Sequence, residues 1–127
     1  MSFVTAVLVH VASMSEGMAW YRRAFPEAVV EISEPSGFEF LKIGQTQLEI
    51  VPADEKVASG AAGSVVYWWV DDFDQVLAHL QSVGAILYRG PMKIDGELWM
   101  CQVRDPWGNC IGIRGPLAKP KNSEVSR

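Results

Sequence analysis

Few side chains in this sequence could do chemistry. Glu49 stands in Leu48-Glu49-Ile50, a carboxylate inside an apolar stretch. Burying it without a partner is costly. It either pairs with Arg114 or a nearby hydroxyl, or it serves a ligand as a contact or an acid/base group; a desolvated carboxylate suits proton abstraction beside a carbonyl. His10 is the only strongly polar residue between Val4 and Val11. Histidine suits general-base work near neutrality, though it often only donates to a neighbouring carbonyl or carboxylate. Tyr67 and Trp69 interrupt a β-branched run and could stack on a planar or cationic ligand or simply pack. Arg114 could clamp a carboxylate or phosphate in bidentate fashion, or be a solvated strand-end arginine. The cysteines, Cys101 and Cys110, form no C-x-x-C pair, so neither a zinc site nor a disulfide framework is indicated. Nothing near Cys110 in sequence resembles a base that would activate it.

The elements that must position these groups come in a repeated order. Val4 to Val11 reads as a strand. Ser13-Met14-Ser15-Glu16 has the form of a capping box, opening a helix to about Phe25 with Met14, Met18, Tyr21 and Phe25 on one face. Trp20 and Tyr21 are expected in the core. Pro26 stops the helix. Strands follow at about 28–32, 38–43 and 47–51, with Glu34-Pro35-Ser36-Gly37 and Gly44-Gln45-Thr46 as turns. The order then recurs: a strand at 65–70, a helix capped by Asp71-Asp72 through about Val83, and strands at about 86–89, 98–104 and 110–114. Val76, Leu77 and Leu80 face inward on the second helix, His79 outward, and Gly84 ends it. An offset of 59 residues aligns Val11 with Val70, Ser13 with Asp72 and Glu16 with Gln75. The chain therefore reads as α+β, one domain over 1–114 built from two tandem β-α-β-β-β modules. The modules are about 4–52 and 64–114, an exposed linker covers 53–63, and a fraying tail covers 115–127.

Composition excludes several classes. At 127 residues, 49% hydrophobic and 20% charged, the chain is ordinary for a folded domain. Its longest apolar run, Val65 to Val70, cannot span a bilayer. Met1-Ser2-Phe3-Val4 lacks the basic and apolar regions of a secretory leader, and a cytoplasmic protein with reduced thiols is expected. Eleven basic against fifteen acidic residues argue against nucleic acid and anionic membrane surfaces as partners. The same balance weakly favours basic or aromatic cationic ligands.

Ala19-Trp20-Tyr21-Arg22, Leu48-Glu49-Ile50, Val70-Asp71-Asp72 and Asp105-Pro106-Trp107-Gly108-Asn109, in that order and spacing, span about residues 4–114. Together they resemble the glyoxalase / bleomycin-resistance / extradiol-dioxygenase superfamily, also called vicinal oxygen chelate. The resemblance implies two modules whose sheets form a cup, often in a homodimer. In the metalloenzymes of that superfamily four inward His or Glu side chains hold a divalent metal that polarises or chelates substrate oxygens. Those positions fall here on Ala6, Glu49, Val65 and Gly112. Glu49 alone can ligate, and one carboxylate does not hold a metal tightly.

Alternation from those positions places Leu8, His10, Gln47, Val51, Tyr67, Trp69, Cys110 and Arg114 on the cup side, with Leu98, Met100 and Gln102 from the seventh strand. Val66, Trp68, Val70, Trp99 and Cys101 then face the helices. The implied ligand contacts are Tyr67, Trp69, Met100, Gln102 and Arg114, with Glu49 and His10 as candidate catalytic groups. Trp107 is open to a dimer face or a pocket rim. The expected function is metal-independent binding of a small molecule, for instance sequestration of a toxic or antibiotic compound, with no cofactor. The alternative is a metal-free isomerase, epimerase or lyase using Glu49 or His10 as base. A metalloenzyme with non-standard ligands drawn from Glu49 and His10 ranks third.

Overall fold

A computed structural model describes residues 3–118. The chain divides into two compact units, Met1–Gly60 and Ala61–Arg127. In the first, β1 (Ala6–Val11) leads into α1 (Met14–Ala24), followed by β2 (Val29–Ser33), β3 (Phe38–Ile43) and β4 (Thr46–Pro52). The sheet order is β1-β4-β3-β2. Strands β2, β3 and β4 form an antiparallel meander, and β1 lies parallel to β4 with Leu8 opposite Glu49. In the second unit β5 (Tyr67–Trp69), α2 (Phe73–Ser82), β6 (Ile86–Lys93), β7 (Leu98–Arg104) and β8 (Cys110–Pro116) repeat this plan in the order β5-β8-β7-β6. The fold is α+β, two tandem β-α-β-β-β modules. A parallel pair needs a long crossover, and each unit supplies one that contains its helix.

The two helices begin at equivalent residues. Ser13 Oγ accepts from Glu16 N at 3.3 Å, and Asp72 Oδ1 accepts from Gln75 N at 3.2 Å. Each satisfies an amide that the first turn would leave unpaired. At the far end of α2, Gly84 takes a φ of +104°. That left-handed turn lets Ala85 N donate back to Leu80 O at 3.0 Å.

Each helix seals one face of its own sheet. Trp20, Tyr21 and Ala24 of α1 are buried in the first unit, as are Val11, Leu41, Leu48 and Ile50 of its sheet. Tyr21 meets Trp20 edge-on at 4.9 Å and stacks with Phe25 at 6.2 Å. Contrary to the helical spacing read from the sequence, Met14 is exposed and the buried stripe runs through Gly17. A Cβ at Gly17 would stand 2.8 Å from Ile50 and 2.9 Å from Val11, so a missing side chain sets how closely α1 approaches the sheet. Met14 and Met18 instead border a groove of about 270 Å³ with Ser15, Glu39 and Ile50. In the second unit Phe73 and Leu80 are buried, as are Cys101, Val103, Ile111 and Ile113. Each such aliphatic burial contributes about 2 kcal/mol. His79, expected outside, is half-buried.

In the first unit β1 begins at Ala6 instead of Val4 and the ends of β2 and β4 move by one residue; the second unit's strands shift at three places. β5 is regular only over Tyr67–Trp69, although Val66 O and Val70 N still bond to β8. β6 runs past the Gly90-Pro91 pair to Lys93. β8 continues to Pro116, so residues 115 and 116, expected in the tail, belong to the strand; residues 119–127 lie outside the described ones. Among the described residues no helix is long and apolar enough to cross a membrane.

The Asp-Pro turn between β7 and β8 is tied by a buried carboxylate. Asp105 is 3% exposed. Its Oδ1 accepts from Trp107 N and Asn109 N, both at 2.8 Å, and its Oδ2 from Asn109 Nδ2 at 2.9 Å. Removing the acceptor leaves part-buried donors unpaired, so Asp105→Ala is expected to lower unfolding free energy by about 1–3 kcal/mol. The shift of the urea midpoint checks this.

Candidate functional site

Because Cys101, Val103, Ile111 and Ile113 are buried on the α2 side, Met100, Gln102, Arg104, Cys110, Gly112 and Arg114 share the opposite face of the second sheet. Strand register sorts that face into rungs. Tyr67, Gly112, Gln102 and Arg89 form the middle rung across β5, β8, β7 and β6. Trp69, Arg114, Met100 and Met92 form the rung on one side; Cys110, Arg104 and Ile86 form the rung on the other.

The middle rung is crossed by one aromatic ring. Tyr67 lies on β5, yet its hydroxyl accepts from Gln102 Nε2 at 2.8 Å, two strands away. Strands are spaced by about 4.8 Å, so the ring must pass over β8. It does so at Gly112: a Cβ there would stand 2.6 Å from the ring carbon Cδ1. Only a residue without a side chain leaves that path open. The far side of Gln102 is fixed as well, since Cys110 Sγ donates to Oε1 at 3.3 Å. The Arg114 guanidinium carbon lies 4.7 Å from the Tyr67 ring centroid, a cation–π contact worth about 0.5–1 kcal/mol at an exposed site.

Four of the ligand contacts expected from the sequence, Tyr67, Gln102, Arg114 and Met100, therefore share one surface. Trp69 stands beside Arg114 but is 62% exposed, its indole N–H donating to Asp71 Oδ1 at 3.0 Å. Glu49 and His10 belong to the first unit. Glu49 is half-buried and accepts from Gln47 Nε2 at 2.9 Å. His10 pairs with Val51 one rung further along the same face, and Ser59 Oγ donates to its carbonyl. Trp107 is half-buried in the Asp105 turn.

Sequence reasoning missed Arg89. The Gly90-Pro91 pair reads as a strand end, whereas β6 continues through two register irregularities, at Leu87/Arg89 and Arg89/Met92. The extra residues bring Arg89 opposite Gln102 and Met92 opposite Met100. Gly90 makes this possible. Its φ is +82°, and a Cβ there would lie 2.9 Å from Met100 O. Strand periodicity cannot reveal a bulge, because the bulge breaks the periodicity.

No family model and no curated protein matches the sequence. Solved structures do. A glyoxalase/bleomycin resistance protein/dioxygenase family enzyme from Burkholderia phytofirmans PsJN superposes with a TM-score of 0.72 at 18% identity, covering 91% of this chain and 100% of that one. TioX from Micromonospora sp. ML1 gives 0.68 at 18% identity, with 91% and 100% covered. A lactoylglutathione lyase from Agrobacterium tumefaciens gives 0.66 at 16% identity, with 91% and 94% covered. The chain has the glyoxalase/bleomycin resistance/dioxygenase fold.

Metal ligation in this fold was expected at positions equivalent to Ala6, Glu49, Val65 and Gly112. The residues present do not fit a metal. Ala6, Val65 and Gly112 carry no donor, and the Tyr67 ring occupies the space a side chain at Gly112 would need. Among the described residues no group of three or more His, Cys, Asp or Glu side chains gathers as ligands.

The thiols of this glyoxalase-fold unit are both held protonated. Burial pushes Cys101 up to about 11. Burial also raises Cys110, opposed by the positive charges of Arg104 and Arg89. A protonated Cys110 is the donor its contact with Gln102 requires. The unfolded chain ionises these thiols first, so their contribution to stability is complete below an ordinary thiol pKa and is lost as pH rises through the folded value. Urea midpoints are expected to fall between pH 9 and about 11, and Cys101→Ala to flatten that slope. Gly112→Ala should displace the Tyr67 ring and cost about 1–3 kcal/mol, whereas Tyr67→Ala in the same background should recover part of the loss.

Proposed function

We propose that this protein is a small-molecule-binding member of the glyoxalase/bleomycin-resistance/dioxygenase superfamily that works without a resident metal. The ligand rests on the face of the second sheet formed by Tyr67, Gln102, Met100 and Arg114. The observation that carries this reading is the Tyr67 ring lying across Gly112. A ligating side chain is replaced there by a fixed aromatic surface with a polar end. Aromatic and apolar surface with a few placed polar groups is the usual make-up of a small-molecule site. Gln102, locked between Cys110 and Tyr67, orients the phenol before any ligand arrives, and such preorganisation lowers the ordering cost of binding. Sequestration of a toxic or antibiotic compound is the simplest task for a site of this kind.

A second reading is a metal-free isomerase, epimerase or lyase. Its support is Glu49, a half-buried carboxylate with one oxygen held by Gln47, together with the fold's occurrence in a lactoylglutathione lyase. In that reading Glu49 or His10 takes the proton from a small oxygenated substrate.

Two further features belong to the proposal. The first is a homodimer. Ile86 and Tyr88 on the edge strand β6 are exposed, and a second copy would bury them. The second is a cytoplasmic location, which suits two free cysteines.

Native mass spectrometry of gently purified, untagged protein is expected to give a dimer mass without metal, with any co-purified organic ligand visible as added mass. One tightly held metal per subunit would overturn the metal-free reading. For any co-purified compound, Glu49→Gln should leave binding nearly intact; complete loss of turnover of that compound with the fold preserved would favour the enzyme instead.

A further inference from the structure

The charge on the ligand face of the second sheet is opposite to that of the chain. The sequence carries a net charge of −4. Yet the three rungs of this face hold Arg104, Arg89 and Arg114 in succession, one from each of β7, β6 and β8, and no Asp or Glu. Among the described residues none of these arginines forms an ion pair; the second unit's ion pair is Lys93 with Glu97 at 3.9 Å. Arg104 is occupied by the fold. Its Nε donates to Gly108 O at 3.0 Å, and its guanidinium carbon lies 5.1 Å from the Tyr88 ring centroid. Arg89 and Arg114 are exposed; Arg114 also rests on a ring, that of Tyr67 at 4.7 Å, but among the described residues neither guanidinium donates to a backbone carbonyl as Arg104 does. They flank Gln102 and Tyr67, two strands and one rung apart, about 10 Å across the sheet and about 7 Å along it.

The hydrogen-bond chain runs in one direction. Cys110 donates to Gln102 Oε1, and Gln102 Nε2 donates to the Tyr67 oxygen. The thiol stays protonated because burial outweighs the two arginines beside it. With its oxygen already accepting, Tyr67 has its hydroxyl hydrogen left to give, and no acceptor for it stands among the described residues. Apart from the Asp71 carboxylate, which takes the Trp69 indole N–H at the edge of this face, the polar groups it offers are donors and cations. Met100, Met92 and Trp69 supply apolar surface on the rung beside them.

We infer that the ligand carries an oxyanion, a carboxylate or a phosphate, received by Arg114 and Arg89 with the Tyr67 hydroxyl as a third donor, on an apolar or aromatic body. The inference rests on the reading that this face is the ligand site. Arginine matches planar and tetrahedral oxyanions through paired N–H donors. A cation, which the net charge alone would favour, meets three positive charges here.

Four probes with one aromatic body test this: 2-naphthoate, 2-naphthyl phosphate, 2-naphthamide and 2-naphthylmethylamine. Each is titrated into the full chain at low salt and followed by amide and side-chain NMR shifts. The carboxylate or the phosphate is expected to shift Tyr67, Gln102 and Cys110 and to bind at least about tenfold more tightly than the amide, with the amine weakest. The tighter of the two anions identifies the oxyanion. Arg114→Gln and Arg89→Gln should each weaken it by about tenfold or more with the fold preserved in the amide spectrum, and Arg114→Lys should weaken it less. Amide or amine binding as tight as the anions at these residues would overturn the inference and leave the site standing. The same holds if the anions bind there with unchanged affinity in both glutamine variants. Anion shifts confined to residues away from this face, or no shift with any probe at about 10 mM, would overturn both the inference and the site.

Discussion

Each four-stranded sheet has one face sealed by a single helix, and side-chain alternation carries that constraint to every polar group in the strands. Leu48 and Ile50 must go under α1, so Glu49 emerges on the other side with Gln47. Cys101, Val103, Ile111 and Ile113 must go under α2, so Gln102, Gly112 and Arg114 emerge together. Sliding β7 by one residue would bury Gln102 and expose Val103, exchanging favourable apolar burial for an unpaired amide. The helices are the source of the constraint, and their caps at Ser13 and Asp72 set where each begins against its sheet.

Within the second unit the absence of a side chain at Gly112 has the widest consequence. It lets the Tyr67 ring cross β8 and reach Gln102, which Cys110 in turn holds from the other side. A donor side chain and the crossing ring cannot share that space. The fold has been found in a glyoxalase/bleomycin resistance protein/dioxygenase family enzyme and in a lactoylglutathione lyase. In this chain the four positions that the resemblance assigns to metal ligands hold Ala6, Glu49, Val65 and Gly112; Glu49 alone carries a donor, and an aromatic ring lies over Gly112. A fold does not by itself fix the chemistry carried on it, which depends on the side chains at a few positions.

The distribution of charge matters more than its sum. A net charge of −4 describes the field far from the molecule, where solvent ions screen it within about 10 Å. A bound ligand meets the groups within contact distance. On the second sheet's open face these are arginines and a phenol, and their arrangement depends on the two irregularities that carry β6 past Gly90 and Pro91.

The sequence by itself determined the order of elements, because each is signalled locally. Ser13 and Asp72 are caps, Gly84 and Pro26 are stops, and alternating apolar residues mark β4 and β7. The family resemblance implied that Tyr67, Met100, Gln102 and Arg114 share a face, because it supplied one inward position in each strand and alternation within the strand carried the parity along. Tertiary structure alone decided the rest. The buried stripe of α1 passes through Gly17 rather than Met14 because the closest helix–sheet approach is chosen by space, and the helical period does not register it. The ring crossing at Gly112 and the arrival of Arg89 beside Gln102 depend on contacts between strands far apart in sequence and on bulges that interrupt the period a sequence reading relies on. Local signals fix what each residue is part of, while the positions of side chains across strands follow from packing that no single stretch encodes.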